Sequence, residues 1–372
     1  MTVRKLVTPL VLVGVVALLA CAPFLAVPGL GVLPDTVGGI GSLQVLGTAY
    51  VIAALAITYD LLMGYTGLVS FGHGMFFALG SYGFVMLLAF TPVGFWTAAA
   101  SAVGITVVAA VIVNAVALRA SLIAYSMVTL AAAQLMAIAI GQNYLGSGGA
   151  DGVTIPFEKL PAALVGIVNT KHVYWLALAL LVGTFALARW LTTTRIGHVW
   201  RAIRENELRA EVMGFTVYTY KLVVALIAST LAGVAGVVYA ILLGAADPGE
   251  TSLSFSIGLV IMLILGGRGR VWGALLGAVV YTLLQQRLPA ITSSAGVAAL
   301  PDVVRVPLAQ PQLLLGVVFI LFVLFLPGGL AGVVDNGVRA VRRRRSGPPT
   351  GVAADGELAA AVSVPASAEP TR

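Results

Sequence analysis

The sequence predicts an all-α integral membrane protein, a bundle of about ten transmembrane helices with both termini cytoplasmic. Three observations carry this. Of the 372 residues, 60% are apolar and 9% charged, against about 25% charged in soluble domains. Water does not tolerate such a surface, whereas lipid does. The apolar residues gather in runs near the ~20 residues that cross a bilayer core. Lys and Arg cluster at run ends in alternate loops, which threading puts on one side, as the positive-inside rule requires. The 43 glycines suit helices packed closely in a membrane, where small residues let backbones approach. The net charge of +7 is accounted for by the run ends, so it does not point to nucleic acid.

The runs fall at 6–27, 43–63, 67–90, 95–117, 121–141, 172–191, 221–243, 255–266, 271–287 and 312–327. In the first, Arg4 and Lys5 precede Leu18, Leu19, Ala20 and Cys21, a loose likeness to a lipoprotein cleavage site. Apolar sequence continues to Phe24 and Leu25, so the reading is an uncleaved first helix. Cys21 is the lone cysteine, so neither a disulfide framework nor a cysteine metal site is expected. The eighth run is too short to cross untilted. Only Gly266, Gly267, Arg268, Gly269 and Arg270 separate it from the ninth. Three regions follow: 1–42, a first helix and outer loop; 43–335, the main transmembrane domain with a cytoplasmic loop at 192–220; and 336–372, a basic, disordered cytoplasmic tail.

Threading the runs from a cytoplasmic Arg4 and Lys5 puts Arg119, the basic stretch from Arg189 to Lys221, Arg268, Arg270 and the cluster Arg339 to Arg345 inside. The loops holding Asp151 and Glu158, and Asp247 and Glu250, fall outside. Lys159, Lys171, Arg287 and Arg305 are exceptions on the outer side. Gly-rich turns near 64–74 and 266–273 form a weak echo, a pattern compatible with an inverted repeat or with ordinary helix turns.

The polar loop 192–220 has helical chemistry. Glu205 precedes Arg209 by four residues, the favourable order for a helical pair. Val199, Ile203, Leu208 and Met213 form one apolar stripe on a single short helix. Gly214 stands at its C-cap. Arg201, Arg204, Glu207 and Glu211 complete its charged surface. Candidates for a substrate path are Gly64, Gly67, Ser70, Gly72, His73 and Gln134. Glycines at a broken helix expose backbone N–H groups that an anion can meet, although close packing through glycine explains them as well. His73, an ionisable group inside a span, reads first as a hydrogen-bonded packing residue. Gln134, mid-span, fits a path or an interhelical hydrogen bond equally, with Asn143 near its outer end. The role of Asp60 stays open. The segment 146–152 is Gly-rich without the lysine of a phosphate loop and reads as a flexible outer loop. No catalytic or metal-binding constellation is present, so the chain is not read as an enzyme.

The stretch 201–214, RAIRENELRAEVMG, resembles the cytoplasmic coupling loop of branched-chain amino acid permeases of the ABC importer class. The stretch 64–77, GYTGLVSFGHGMFF, resembles that family's N-terminal signature in its second permease type. The turn 265–274, LGGRGRVWGA, is similar to a third family segment, with Arg270 where the family has a small polar residue. The resemblance implies a subunit that carries leucine, isoleucine or valine into the cytoplasm across a bacterial cytoplasmic membrane. It implies a second permease subunit, two cytoplasmic ATPase subunits and an extracytoplasmic binding protein as partners. This chain would bind no cofactor itself; ATP and Mg would sit on the ATPases. Urea and short-amide permeases share much of the pattern and are the alternative cargo. An ion-coupled secondary transporter would show carboxylates in mid-span, and none is found.

Overall fold

The computed structural model describes residues 14, 16–25, 33–144, 146–165, 169–292, 310–326 and 328–333. The fold is helical, as expected. The elements are α1 (Ile40–Asp60), α2 (His73–Phe90), α3 (Phe95–Ala117), α4 (Leu122–Gly141), α5 (Thr170–Thr193), α6 (Arg195–Glu205), α7 (Glu207–Val212), α8 (Val217–Leu243), α9 (Leu253–Gly266), α10 (Val271–Thr292) and α11 (Pro311–Phe325). Two-residue strands β1 (Val153–Thr154) and β2 (Ala245–Ala246) pair antiparallel, Val153 opposite Ala246.

Among the described residues, seven helices are long and apolar enough to cross a membrane. The runs 255–266 and 271–287, read from the sequence as two spans, instead form a pair bent by 119° at the glycine turn. The reason is length: fourteen residues in α9 reach only about 21 Å, short of the ~30 Å hydrocarbon core. Half of the first expected run, 6–27, lies outside the described residues, as do Arg305 and the tail 336–372.

Helix α1 forms the centre. From Ala49 to Thr66 every residue is buried, which only an element apolar on all sides allows. It packs on α5, α8 and α10, and the Tyr50 and Tyr174 hydroxyls meet at 3.1 Å across the α1–α5 contact. By contrast α3 and α11 turn broad apolar faces outward, with Val108, Ile112 and Val116 exposed on α3. Lipid tolerates such faces; water does not. Helices α2 and α8 approach through glycine: a methyl group on Gly80 would overlap the Gly233 carbonyl, and one on Gly236 the Phe77 carbonyl. Residues 16–21 are helical and are held to α5, where Trp175 Nε1 donates to the Ala20 carbonyl at 3.1 Å.

Two of the charge exceptions gain local explanations. Lys159 Nζ donates to the carbonyls of Leu88 and Thr91 at 2.6 and 2.9 Å, where a cation meets the negative end of a helix. Lys171 lies over the Phe24 ring, 5.1 Å from its centroid, a cation–π geometry. The loop 146–152, read as flexible, is pinned: Ser147 Oγ donates to the Ile140 carbonyl at 2.8 Å, and the Gly148 N–H to Asn143 Oδ1 at 2.9 Å. Asn143 is thereby a turn residue, with φ of 57°.

Candidate functional site

Two features at opposite ends of α1 stand out. At its C-terminal end lies the polar loop. The sequence reads it as one helix; the structure makes two, because Asn206 is extended at φ −160° and ψ 107°. The Asn206 side chain accepts from the Arg209 N–H at 2.9 Å and so starts α7. This break takes Glu205 and Arg209 off a common helix and splits the expected apolar stripe. Ile203 is buried and Val199 packs beside it, whereas Leu208 and Met213 are 70% and 69% exposed, with Val212 at 82%. Gly214, at φ 88°, closes α7: its N–H reaches the Glu211 carbonyl at 2.8 Å and the Phe215 N–H the Ala210 carbonyl at 3.1 Å. This is the paired closure for which a left-handed glycine is favoured.

The loop is anchored to the bundle at four points. The Trp200 side chain is wholly buried and donates to the Tyr220 carbonyl at 3.1 Å. Arg201 donates to the Thr192 carbonyl at 3.0 Å and lies over the Tyr65 ring. Arg204 Nη1 donates to the carbonyl of Gly64. Glu207 pairs with Lys221 at 2.6 Å, so this glutamate faces the protein's own α8. Glu211 and Arg209 remain exposed. Since Lys221 is buried and Glu207 is half-exposed, Glu207→Ala should destabilise the loop–α8 joint by about 1–2 kcal/mol. Melting of the purified protein with and without the substitution checks this, and Glu207→Gln should recover part of the loss.

Beneath Arg204 the two Gly-rich turns meet. A π-helical turn, Leu61–Thr66, extends α1, and its Gly64 touches the 267–270 turn. Gly269 (φ 79°) donates its N–H to Asp60 Oδ1 at 2.7 Å. A methyl group on Gly64 would overlap Asp60 Oδ1 and lie 2.5 Å from the Gly269 nitrogen. Asp60, Gly64, Gly269 and Arg204 therefore form one knot, buried at Asp60 and Gly64, between α1, the bent pair and the polar loop. Reading along the chain could not assemble it, since the partners are 209 residues apart for Asp60 and Gly269.

Of the other path candidates, Gly67, Ser70, Gly72 and His73 follow this end of α1. His73 is fully buried, with Nε2 at 2.8 Å from Thr58 Oγ1 and its ring against Tyr59. Gly67 lies against Arg204, and a methyl group on Gly72 would lie 2.5 Å from the Thr129 carbonyl oxygen. Ser70 is buried, and Gln134 is half-buried on α4.

At the opposite end of α1, a cavity of about 580 Å³ opens between α1, α8, α9, α10 and α11. Thr48, Tyr239, Glu250, Ser254, Thr282 and Gln312 are among its walls. Thr48 is sixteen residues from Gly64, which along a helix is about 24 Å. None of Gly64, Gly67, Ser70, Gly72, His73 and Gln134 lines it. Glu250, on the turn before α9, is buried. Burial pushes its carboxyl up to about 8; the Ser81 hydroxyl and the Asp247 N–H oppose this and the Asp247 charge adds to it.

A family described as "Branched-chain amino acid transport system / permease component" matches residues 41–326. The chain belongs to this family. It covers the whole bundle from α1 to α11, including the polar loop and the Asp60 knot. Among relatives, the high-affinity branched-chain amino acid transport system permease protein LivM of Salmonella typhimurium is 24% identical over 268 residues. That alignment spans 66% of this chain and 63% of the relative, a little under two thirds of its length. The corresponding protein LivH of Escherichia coli K12 is 27% identical over 306 residues, 77% of this chain and 92% of the relative. A probable branched-chain amino acid transport permease protein LivM of Methanocaldococcus jannaschii is 24% identical over 232 residues, 62% of this chain and 66% of the relative. This permease is thus a multi-pass membrane protein of a family of transport components.

Proposed function

We propose that the chain is a transmembrane subunit of an ATP-binding cassette importer that moves branched-chain amino acids into the cytoplasm. Its partners in this reading are a second permease subunit, two cytoplasmic ATPases and an extracytoplasmic binding protein, in a bacterial cytoplasmic membrane. ATP and Mg would be held by the ATPases. The observation that carries the reading is the loop 195–214. One side of it is fixed to the bundle through Trp200, Arg201, Arg204 and Glu207. The other presents Leu208, Val212 and Met213 bare. Three large apolar side chains exposed on a charged, six-residue helix and its C-cap suit a protein contact, and the anchors would carry its movement to α1. Force applied at α7 would reach the Asp60 knot through Arg204, a contiguous path between two arrangements of the bundle.

The deciding experiment is leucine uptake into vesicles holding the reconstituted complex, with and without ATP. Uptake that needs ATP supports the reading. Uptake that proceeds without ATP or partners replaces it with a secondary transporter, and ATP-dependent uptake of urea or short amides instead of leucine changes the cargo alone. The docking surface has its own check. Leu208→Asp with Met213→Asp should leave the permease folded, because both side chains are exposed, yet should cut co-purification of the ATPases at least tenfold. That is the size of effect expected when a central apolar contact is lost. Unchanged co-purification would place the ATPase contact elsewhere.

A further inference from the structure

Helix α4 is tied to the bundle on one face and bare on the other. Tyr125, Thr129, Ala133 and Ile140 are buried. The Tyr125 hydroxyl donates to Asn114 Oδ1 on α3 at 3.1 Å, and Ser126 Oγ to the Val69 carbonyl at 2.6 Å. These contacts fix the rotation of the helix about its axis. The opposite face carries Ala124, Met127, Ala131, Gln134, Ile138 and Gly141. Their alternating spacing of three and four residues is the 3.5-residue period of a seam between paired helices. Met127 and Ile138 are 60% and 58% exposed. Ala131 and Gly141 are exposed as well, and Ala124 and Gln134 are half-buried.

Lipid does not account for this face as it does for those of α3 and α11. Between residues 104 and 116 of α3 the polar side chains are buried and bonded, Thr106 to the Ala102 carbonyl and Asn114 to the Ala110 carbonyl, each at 2.9 Å. Residues 313–325 of α11 hold no polar side chain. Gln134 differs. Within Leu122–Gly141 it lies about 18 Å from one end of the helix and about 10 Å from the other, inside the ~30 Å hydrocarbon core. Its amide has no hydrogen bond to any described residue. A carboxamide has two donors and a carbonyl acceptor. Hydrocarbon offers no partner for them, and leaving them bare is costly.

In membranes such side chains meet a polar group on a neighbouring helix, and small residues beside them let the backbones approach. Ala124, Ala131 and Gly141 leave that room; a methyl group on Gly141 would meet nothing within 4 Å. One polar side chain in an otherwise apolar seam sets register and partner. We propose that this face of α4 is the contact surface for a transmembrane helix of the second permease subunit, with the Gln134 carboxamide bonded to an amide or hydroxyl side chain at the same depth on that helix. The proposal rests on the reading of the chain as one of two permease subunits and names the surface where they join. The family match runs through α4, so a second permease of the same family brings a corresponding helix. Two related chains about an approximate two-fold axis place corresponding faces together.

The test uses the whole complex in vesicles. The photoreactive residue p-benzoylphenylalanine is placed singly at Ile138 on the seam, Ile112 on α3 and Leu321 on α11, all of them exposed. On irradiation the Ile138 position should give an adduct with the second permease, identified by mass spectrometry, and the other two should not. Gln134→Leu should lower co-purification of the second permease about three- to tenfold, the worth of one hydrogen bond between membrane helices, and Gln134→Asn should lose less. Melting of the full chain carrying Gln134→Leu should be unchanged or raised, because leucine suits lipid; this separates a lost contact from a lost fold. Undiminished co-purification in Gln134→Leu overturns the proposal, and a fall in leucine uptake by that same complex would assign the amide to the transport path instead. Adducts from Ile138 with lipid alone or with a second copy of this chain also overturn it, as does an adduct with the second permease from Ile112 or Leu321 in place of Ile138. Should no second permease co-purify with the unsubstituted chain, the two-permease reading itself fails, so the two failures are separable.

Discussion

Gly236→Ala is expected to lower the stability of the permease by about 3 kcal/mol, although alanine is the better helix former by about 1 kcal/mol. The added methyl group would overlap the Phe77 carbonyl on α2 and lie 2.9 Å from the Ser81 nitrogen. Both are backbone atoms, which cannot swing aside as a side-chain tip can. The helices must move apart, and every contact along α2 and α8 loosens with them, because close-packed interiors relax only partly. Gly183→Ala on α5 provides the opposite sign. Nothing lies within 4 Å of its added methyl group, so only the propensity gain remains. Thermal melting in detergent should show the first variant lowered by roughly 5–10 °C and the second unchanged or slightly raised. Equal behaviour of the two would mean that the α2–α8 approach is not set by glycine.

Arg204→Ala is expected to reduce ATP-driven uptake at least tenfold while the complex still assembles. Arg204 sits on the loop proposed to meet the ATPase and donates to the Gly64 carbonyl, the residue that also abuts Gly269. A hydrogen bond from a charged group contributes about 1.5–3 kcal/mol, and its loss disconnects α6 from the end of α1. Asp60→Ala should act on the same knot from the other side, since it removes the acceptor of the Gly269 N–H. Asp60→Asn keeps an oxygen for that N–H and should retain more activity than Asp60→Ala. The double variant Arg204→Ala with Asp60→Ala should lose less than the sum of the two, as residues in one network do. Additive losses, or uptake at the unsubstituted rate in Arg204→Ala, would remove the knot from the transmission path.

The positions of the helices were legible because a bilayer imposes a length and an apolar composition that show in the linear sequence. From residue 43 onward each apolar run has its helix. The polar loop was legible as helical for the same kind of reason, charge order and a terminal glycine. It was read as one helix because periodicity does not register a single extended residue. Asn206 ends one helix and caps the next, and that turned Leu208 and Met213 outward. The loop 146–152 was misread through its glycines: their left-handed turns are fixed by hydrogen bonds from Ser147 and to Asn143.

Composition, run length and the placement of Lys and Arg determined by themselves that this chain is a helical membrane protein, because each follows from the free energy of placing one residue type in lipid or water. Three short motifs pointed to its family. Only the tertiary structure decided which polar groups meet. Asp60 finds Gly269 across a sequence separation that no local pattern encodes. The glycines at 64, 80, 233 and 236 carry the same composition signal as any others. What they do depends on the backbone that lies a van der Waals radius away, and that is settled by packing alone.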